Sequence, residues 1–258
     1  MSINWSEVKK ALYPIKDYAE LIQRLQKSFS YPFVGETFNF SMPDLTDYTQ
    51  RLLAGDGRGR YNEYANRLTA ILTELHQTGV RDLQDLIARA ETRERLESFT
   101  TQSGVYAEDI VAVLKFLVYW LIPMEKYLSG LIRDDPLTKQ AILKLREVGI
   151  RTNLELLQQG ITAAGCKALS KSSGLPEDII LELVNRADLS RMPWASKATI
   201  SNIIGAGYGS LSQLANADPE QLYADFFRYG KSIGKNLKLG NEIENSHRIA
   251  KILPILVR

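Results

Sequence analysis

Gly79-Val-Arg-Asp-Leu-Gln-Asp-Leu-Ile87, Gly149-Ile-Arg-Thr-Asn-Leu-Glu-Leu-Leu157 and Gly207-Tyr-Gly-Ser-Leu-Ser-Gln-Leu-Ala215 follow one plan, and that plan decides the fold class. Each follows a run with apolar residues at helical spacing: Leu68, Ile71, Leu72 and Leu75, then Ile142, Leu143 and Leu145, then Ile200, Ile203 and Ile204. Each opens with a glycine suited to the left-handed position that ends a helix, so φ is expected to be positive at all three. Val80, Ile150 or Tyr208 is placed to close over that helix end. Asp82, Thr152 and Ser210 then stand as N-caps, with Asp85, Glu155 and Gln213 at capping-box spacing. The unit is helix, tight turn, helix. A fainter fourth copy, Pro14-Ile-Lys-Asp-Tyr-Ala-Glu-Leu-Ile22, keeps Asp17 and Glu20 but has proline where the others have glycine.

Outward from these turns, Ser103-Gly-Val-Tyr-Ala-Glu-Asp-Ile110 parallels Ser173-Gly-Leu-Pro-Glu-Asp-Ile-Ile180, and both introduce an apolar helix. Helical periodicity runs through nearly the whole chain, so the expected class is all-α with no substantial sheet. The exception is the aromatic stretch 31–40, between Pro32 and Pro43, which is expected to be extended. Ser41-Met-Pro-Asp44 starts a further helix that should stop at Gly55. Ile110–Met124 is apolar except for Lys115, but it is shorter than the roughly 20 residues a membrane span needs. It is expected to be a buried helix, with Tyr119 and Trp120 as core aromatics, and no membrane span is expected. Three regions result: an N-terminal helical region 1–62, a repeat-like region 63–136, and a paired-hairpin region 137–258 with a basic tail.

Composition narrows the function classes. The 258 residues are 45% apolar and 24% charged, as in an ordinary globular protein. Cys166 is the only cysteine, which excludes an internal disulfide, and with His76 and His247 alone a Cys/His zinc site has almost no ligands. The opening Met1-Ser-Ile-Asn-Trp5 has no basic region followed by an apolar one, so a cytoplasmic location is expected. Residues 140–258 carry a net +4 and the remainder −2, too little for a strong polyanion binder. The positive charge concentrates in Phe226–Arg258, at +5, which is where a phosphate-seeking surface is expected.

The stretch Gly149-Ile-Arg-Thr, Gly160-Ile-Thr-Ala-Ala-Gly165, Val184-Asn-Arg-Ala-Asp-Leu-Ser-Arg-Met192 and Ala215-Asn-Ala-Asp-Pro-Glu-Gln-Leu222 resembles the helix-hairpin-helix superfamily. More narrowly it is similar to the bacterial family called domain of unknown function 4332, over about residues 137–258. The resemblance implies a compact helical fold of degenerate helix-hairpin-helix repeats. It also implies relatives that hold DNA without sequence preference, through backbone amides of a glycine-containing hairpin. The family hairpin reads apolar-x-Gly-apolar-Gly, and this chain has Pro136-Leu-Thr138 and Trp194-Ala-Ser196 at the matching places. Both glycine pairs are gone, which harms a phosphate contact more than it harms the fold. Trp194 is therefore a candidate protein-contact anchor, or else a buried wedge between the hairpins.

Enzyme signatures fail one by one. Arg228-Tyr-Gly-Lys-Ser-Ile-Gly-Lys-Asn-Leu-Lys238 has glycines one residue too close for a phosphate loop, and Asn236 replaces its Ser/Thr. Ser232-Ile-Gly-Lys235 is a Ser-x-x-Lys tetrad without an accompanying Lys-Thr-Gly. As a basic loop, with Arg228, Lys231, Lys235 and Lys238 as cations and Tyr229 for stacking, this segment is the first candidate for anion or nucleic-acid contact. Arg58 and Arg60, in Gly55-Asp-Gly-Arg-Gly-Arg-Tyr61, are the second. Cys166 reads as a small buried side chain. The expectation is a non-enzymatic, cofactor-free helical binding or scaffolding protein that engages a protein partner, with weak sequence-independent nucleic-acid binding as the runner-up.

Overall fold

The computed structural model describes residues 3–54, 59–131, 136–237 and 242–257. It is 72% helical, and its described residues contain no strand or sheet, only isolated bridges between Ser41 and Asp82 and between Tyr127 and Thr152. The chain divides into two units, Met1–Met124 and Glu125–Arg258. Segment 125–131 belongs with the second unit, where Leu128 N–H donates to the Arg151 carbonyl and Asn153 N–H to that of Lys126.

The glycine turns take the expected geometry. Gly79, Gly149 and Gly207 have φ of 86°, 87° and 103°. Around each, the glycine N–H bonds back three residues and the next N–H bonds back five. Gly79 donates to His76 and Val80 to Leu75, Gly149 to Arg146 and Ile150 to Leu145, Gly207 to Ile204 and Tyr208 to Ile203. This is the Schellman arrangement, which satisfies the carbonyls that a helix end leaves free. The caps that follow match as well. Asp82, Thr152 and Ser210 accept from the N–H of Asp85, Glu155 and Gln213, whose side chains reach back to the N–H groups of Arg81, Arg151 and Gly209. Asp17 and Glu20 make the same two bonds, to Glu20 N–H and Lys16 N–H, so the helix that follows Asp17 is capped in the same way.

The first unit contains α1 (Trp5–Leu12), α2 (Tyr18–Phe29), α3 (Pro32–Phe38), α4 (Met42–Ala54), α5 (Gly59–Gln77), α6 (Leu83–Arg89), α7 (Arg93–Ser103) and α8 (Ala107–Phe116). A π-helical turn, Leu117–Leu121, continues α8. The expected extended segment 31–40 is instead mostly α3. Pro32 supplies a preset φ at the helix start, and Phe33, Val34 and Phe38 are buried, so packing overrides aromatic strand preference. Only Phe40 to Met42 lies alongside another segment, with Leu83 N–H donating to Phe40 and Met42 N–H to Arg81. Ile110–Leu121 is core as expected, Trp120 included, although Tyr119 is half-buried. Lys115 interrupts that apolar run because its ammonium donates to the carbonyl of Ala11, in the last turn of α1, and to that of Tyr13 just past it. Burial lowers its pKa. No helix among the described residues is long and apolar enough to cross a membrane.

The second unit contains α9 (Pro136–Glu147), α10 (Asn153–Gly160), α11 (Ala163–Ser173), α12 (Glu177–Leu189), α13 (Lys197–Gly205), α14 (Leu211–Ala215), α15 (Pro219–Ser232) and α16 (Glu242–Ala250). Helices α10, α11 and α12 pack on one another. Two glycines make that possible by close approach: a Cβ on Gly160 would lie 2.5 Å from Val184 Cγ2, and one on Gly165 only 1.9 Å from the Gln159 carbonyl oxygen. Cys166 is buried between them, its thiol donating to the Gly160 carbonyl at 3.1 Å, and burial raises its pKa.

Candidate functional site

Between α12 and α13 the chain reverses through Ser190-Arg-Met-Pro-Trp-Ala-Ser196. Ala195 N–H donates to the Met192 carbonyl at 3.0 Å, which closes a β-turn with Pro193 and Trp194 as its central residues. Proline favours the first central position, and glycine is the ordinary residue at the second when φ there is positive. Here the second is Trp194, with φ of 59°, the only non-glycine residue with positive φ among those described. The left-handed region costs an L-residue roughly 1–2 kcal/mol. The backbone thus keeps a glycine-like conformation while carrying the largest side chain available.

The surroundings hold that conformation from several sides. Met192 and Ala195 turn inward and are buried, whereas Trp194 is 56% exposed. Asp188 and Arg191 form an ion pair at 2.6 Å whose side chains are 2% and 1% exposed. Arg191 Nη2 also donates to the Pro254 carbonyl at 2.7 Å. Burial pushes the Asp188 carboxyl up, and the Arg191 guanidinium opposes that shift. Lys126 reaches in from before the Tyr127 bridge, its Nζ donating to the carbonyls of Ser190 at 2.7 Å and Ala195 at 3.4 Å. One ammonium therefore spans the hairpin, and burial lowers its pKa. Ser190 Oγ donates to Ala187 and accepts from Asn153 Nδ2, while Asn153 Oδ1 accepts from Lys126 N–H. Ser196 then caps α13 through the N–H of Thr199. The result is a rigid turn that presents one aromatic ring to solvent.

The basic tail differs from the expected loop. Arg228, Tyr229 and Lys231 lie in the last turns of α15, which runs to Ser232. The segment has helix-forming residues up to there, and its glycines serve close approach and a helix end. A Cβ on Gly230 would meet the Lys235 carbonyl at 2.9 Å, and Gly234 has φ of 64°. Arg228 pairs with Asp225 at 2.8 Å, and Lys231 sits over the Phe227 ring at 4.4 Å. Asp225 also accepts from Gln221 and Tyr208, and these bonds, the Gln221 one foremost, hold its carboxyl below the usual range. Tyr229 is not presented for stacking: its ring fills the space where a Cβ on Gly205 of α13 would lie, 2.2 Å away. Lys235 follows Gly234, its N–H bonded to the Gly230 carbonyl. Arg60 is in the first turn of α5 with its guanidinium 5.1 Å from the Tyr61 ring centroid. Arg58 and Lys238 lie outside the described residues. Among the described residues no group of three or more His, Cys, Asp or Glu side chains could hold a metal ion.

Sequence reasoning singled out Trp194 but missed Lys126, Asp188 and Arg191 as the groups that set its position. The i, i+3 spacing of Asp188 and Arg191 was a visible signal for the pair. The Pro193-Trp194 order was a visible signal for the turn. Residues 135–244, under half of the chain, match the family described as Domain of unknown function (DUF4332). That match takes in the hairpin, α15 and the Gly160–Gly165 segment. No curated protein and no solved structure matches the chain.

Proposed function

We propose that the chain is a non-enzymatic helical binding or scaffolding protein, and that the hairpin between α12 and α13 docks a protein partner with Trp194 as its anchor. The observation that carries this reading is an exposed tryptophan held at φ of 59° in a turn fixed by two buried charged side chains. Strained backbone persists where the surroundings over-determine it, and it clusters at functional positions. Tryptophan is also the residue most enriched among interface anchors. A ring at the glycine place of a helix-hairpin-helix turn blocks the close approach of a phosphate, which favours protein over nucleic acid. The test is capture of partner protein from nuclease-treated native extract by the full chain, compared with Trp194→Ala. The reading requires a defined protein species retained by the parent chain and lost with the variant.

The runner-up reading rests on the exposed cations at the end of α15. Arg228 is already neutralised by Asp225. If Lys231, Lys235 and Lys238 each neutralise a phosphate, the slope of log affinity against log salt on duplex DNA is expected to be about −3, and no steeper than about −4 if Arg228 also engages. A salt titration of DNA binding measures this directly. A slope near −6 would place the nucleic-acid surface elsewhere on the chain and make it the primary function.

A further inference from the structure

Helix α16 and the residues after it close over the second unit. Helix α16 packs on α14 and α15, burying Ile243, Ser246, Ile249 and Ala250, and Leu253 and Leu256 continue the buried row. In the middle of that interface is His247, 5% exposed, whose Nε2 is enclosed with no hydrogen-bond partner among the described residues. An imidazole there is suited to its neutral form, because enclosure penalises the added charge and the carbonyls of Ala215 and Ala217 that face the ring make no hydrogen bond with Nε2.

The groups that face the ring divide. From the α14 side, the carbonyls of Ala215 and Ala217 and the carboxylate of Asp218 favour the charged form. Helix α14 itself, Leu211-Ser-Gln-Leu-Ala215, has no charged side chain. On α16's own side, the Lys251 ammonium one turn further on opposes the charged form. Tyr223 of α15 faces Glu244 of α16, and burial, with Glu244 beside it, raises the Tyr223 pKa. Enclosure and Lys251 prevail, and the ring titrates below the ordinary histidine range.

We propose that protonation of His247 releases α16 and the segment through Leu256 from α14, making the C-terminal region a clasp that is closed at neutral pH and opens in acid. The clasp reaches the hairpin, since Pro254 in that segment accepts the hydrogen bond from Arg191. Its operation does not depend on what the hairpin binds. The sign follows from linkage. A released histidine titrates near about 6.5, and the docked one below it, so the docked form carries fewer protons. Docking is therefore at full strength above about pH 6.5 and weakens as pH falls toward the docked value, by up to about tenfold per pH unit in that window.

Amide hydrogen exchange on the full chain, corrected for the intrinsic pH dependence, tests the clasp. Protection of α16 amides relative to α12 amides is expected to fall by up to about fivefold between pH 6.5 and 5.5 in the parent chain. His247→Gln should show the same ratio at both pH values. Direct titration of the His247 ring by NMR in the parent chain provides an arm that needs no variant to fold. A ring that titrates at or above about pH 6.5 overturns the proposal. So does a protection ratio that stays constant in the parent chain, or one that falls equally in His247→Gln.

Discussion

Asp188→Ala is expected to destabilise the second unit by about 3–5 kcal/mol, the range for removing one partner of a buried ion pair. The size follows from what remains. Arg191, with a side chain 1% exposed, would lose the carboxylate it holds at 2.6 Å while remaining buried. The reciprocal change, Arg191→Ala, leaves the Asp188 carboxylate buried alone and also strips the Pro254 carbonyl of its donor. It should cost at least as much. Replacing both by apolar residues of similar volume should recover most of the loss, because the pair's desolvation offsets much of its attraction. Urea unfolding, followed by a probe in the second unit, gives the three values. A loss below about 1 kcal/mol for either single change would mean the pair is effectively solvent-exposed.

Trp194→Gly separates fold from function in the opposite direction. Glycine adopts positive φ without the side-chain penalty, so the left-handed strain of roughly 1–2 kcal/mol is relieved. The greater freedom of glycine in the unfolded chain offsets about 0.5–1 kcal/mol of that. The net expectation is a variant as stable as the parent or slightly more so. Trp194→Ala removes the ring but keeps the strain, and should show no such gain. Partner affinity should fall in both by about 2–4 kcal/mol, or roughly 30-fold to 1000-fold, as for a central aromatic anchor. Thermal unfolding and binding measured on the same three proteins check the pattern. Reduced stability of Trp194→Gly with unchanged affinity would make the ring a packing element instead.

The division between what was and was not legible in the sequence follows the range of the interactions. The turns at Gly79, Gly149 and Gly207 and the caps at Asp82, Thr152 and Ser210 are made by residues within six positions of one another. Short-range chemistry of that kind is written in the order of residues. The stretch 31–40 was misread because its aromatics have strand preference, while burial of Phe33, Val34 and Phe38 decides in favour of a helix. The basic tail was misread for a related reason. Glycines suggest loops, yet Gly230 is helical and is needed where the Lys235 carbonyl crosses close by. The hairpin's supports were out of reach, since Lys126 meets Ala195 from 69 residues away and Arg191 meets Pro254 from 63. No local pattern says which partner a buried charge will find. For Trp194 the sequence offered both anchor and buried wedge, and only the inward turn of Met192 and Ala195 places the ring outside.

The most direct measurement places a photo-crosslinking phenylalanine derivative at position 194 of the full chain and irradiates it in native extract. A control carries the same group at Leu181, which is 45% exposed on α12. The account predicts a discrete adduct of constant added mass at position 194, resistant to nuclease, sensitive to protease and absent from the Leu181 control. An adduct removed by nuclease, or the same set of adducts from both positions, would contradict it.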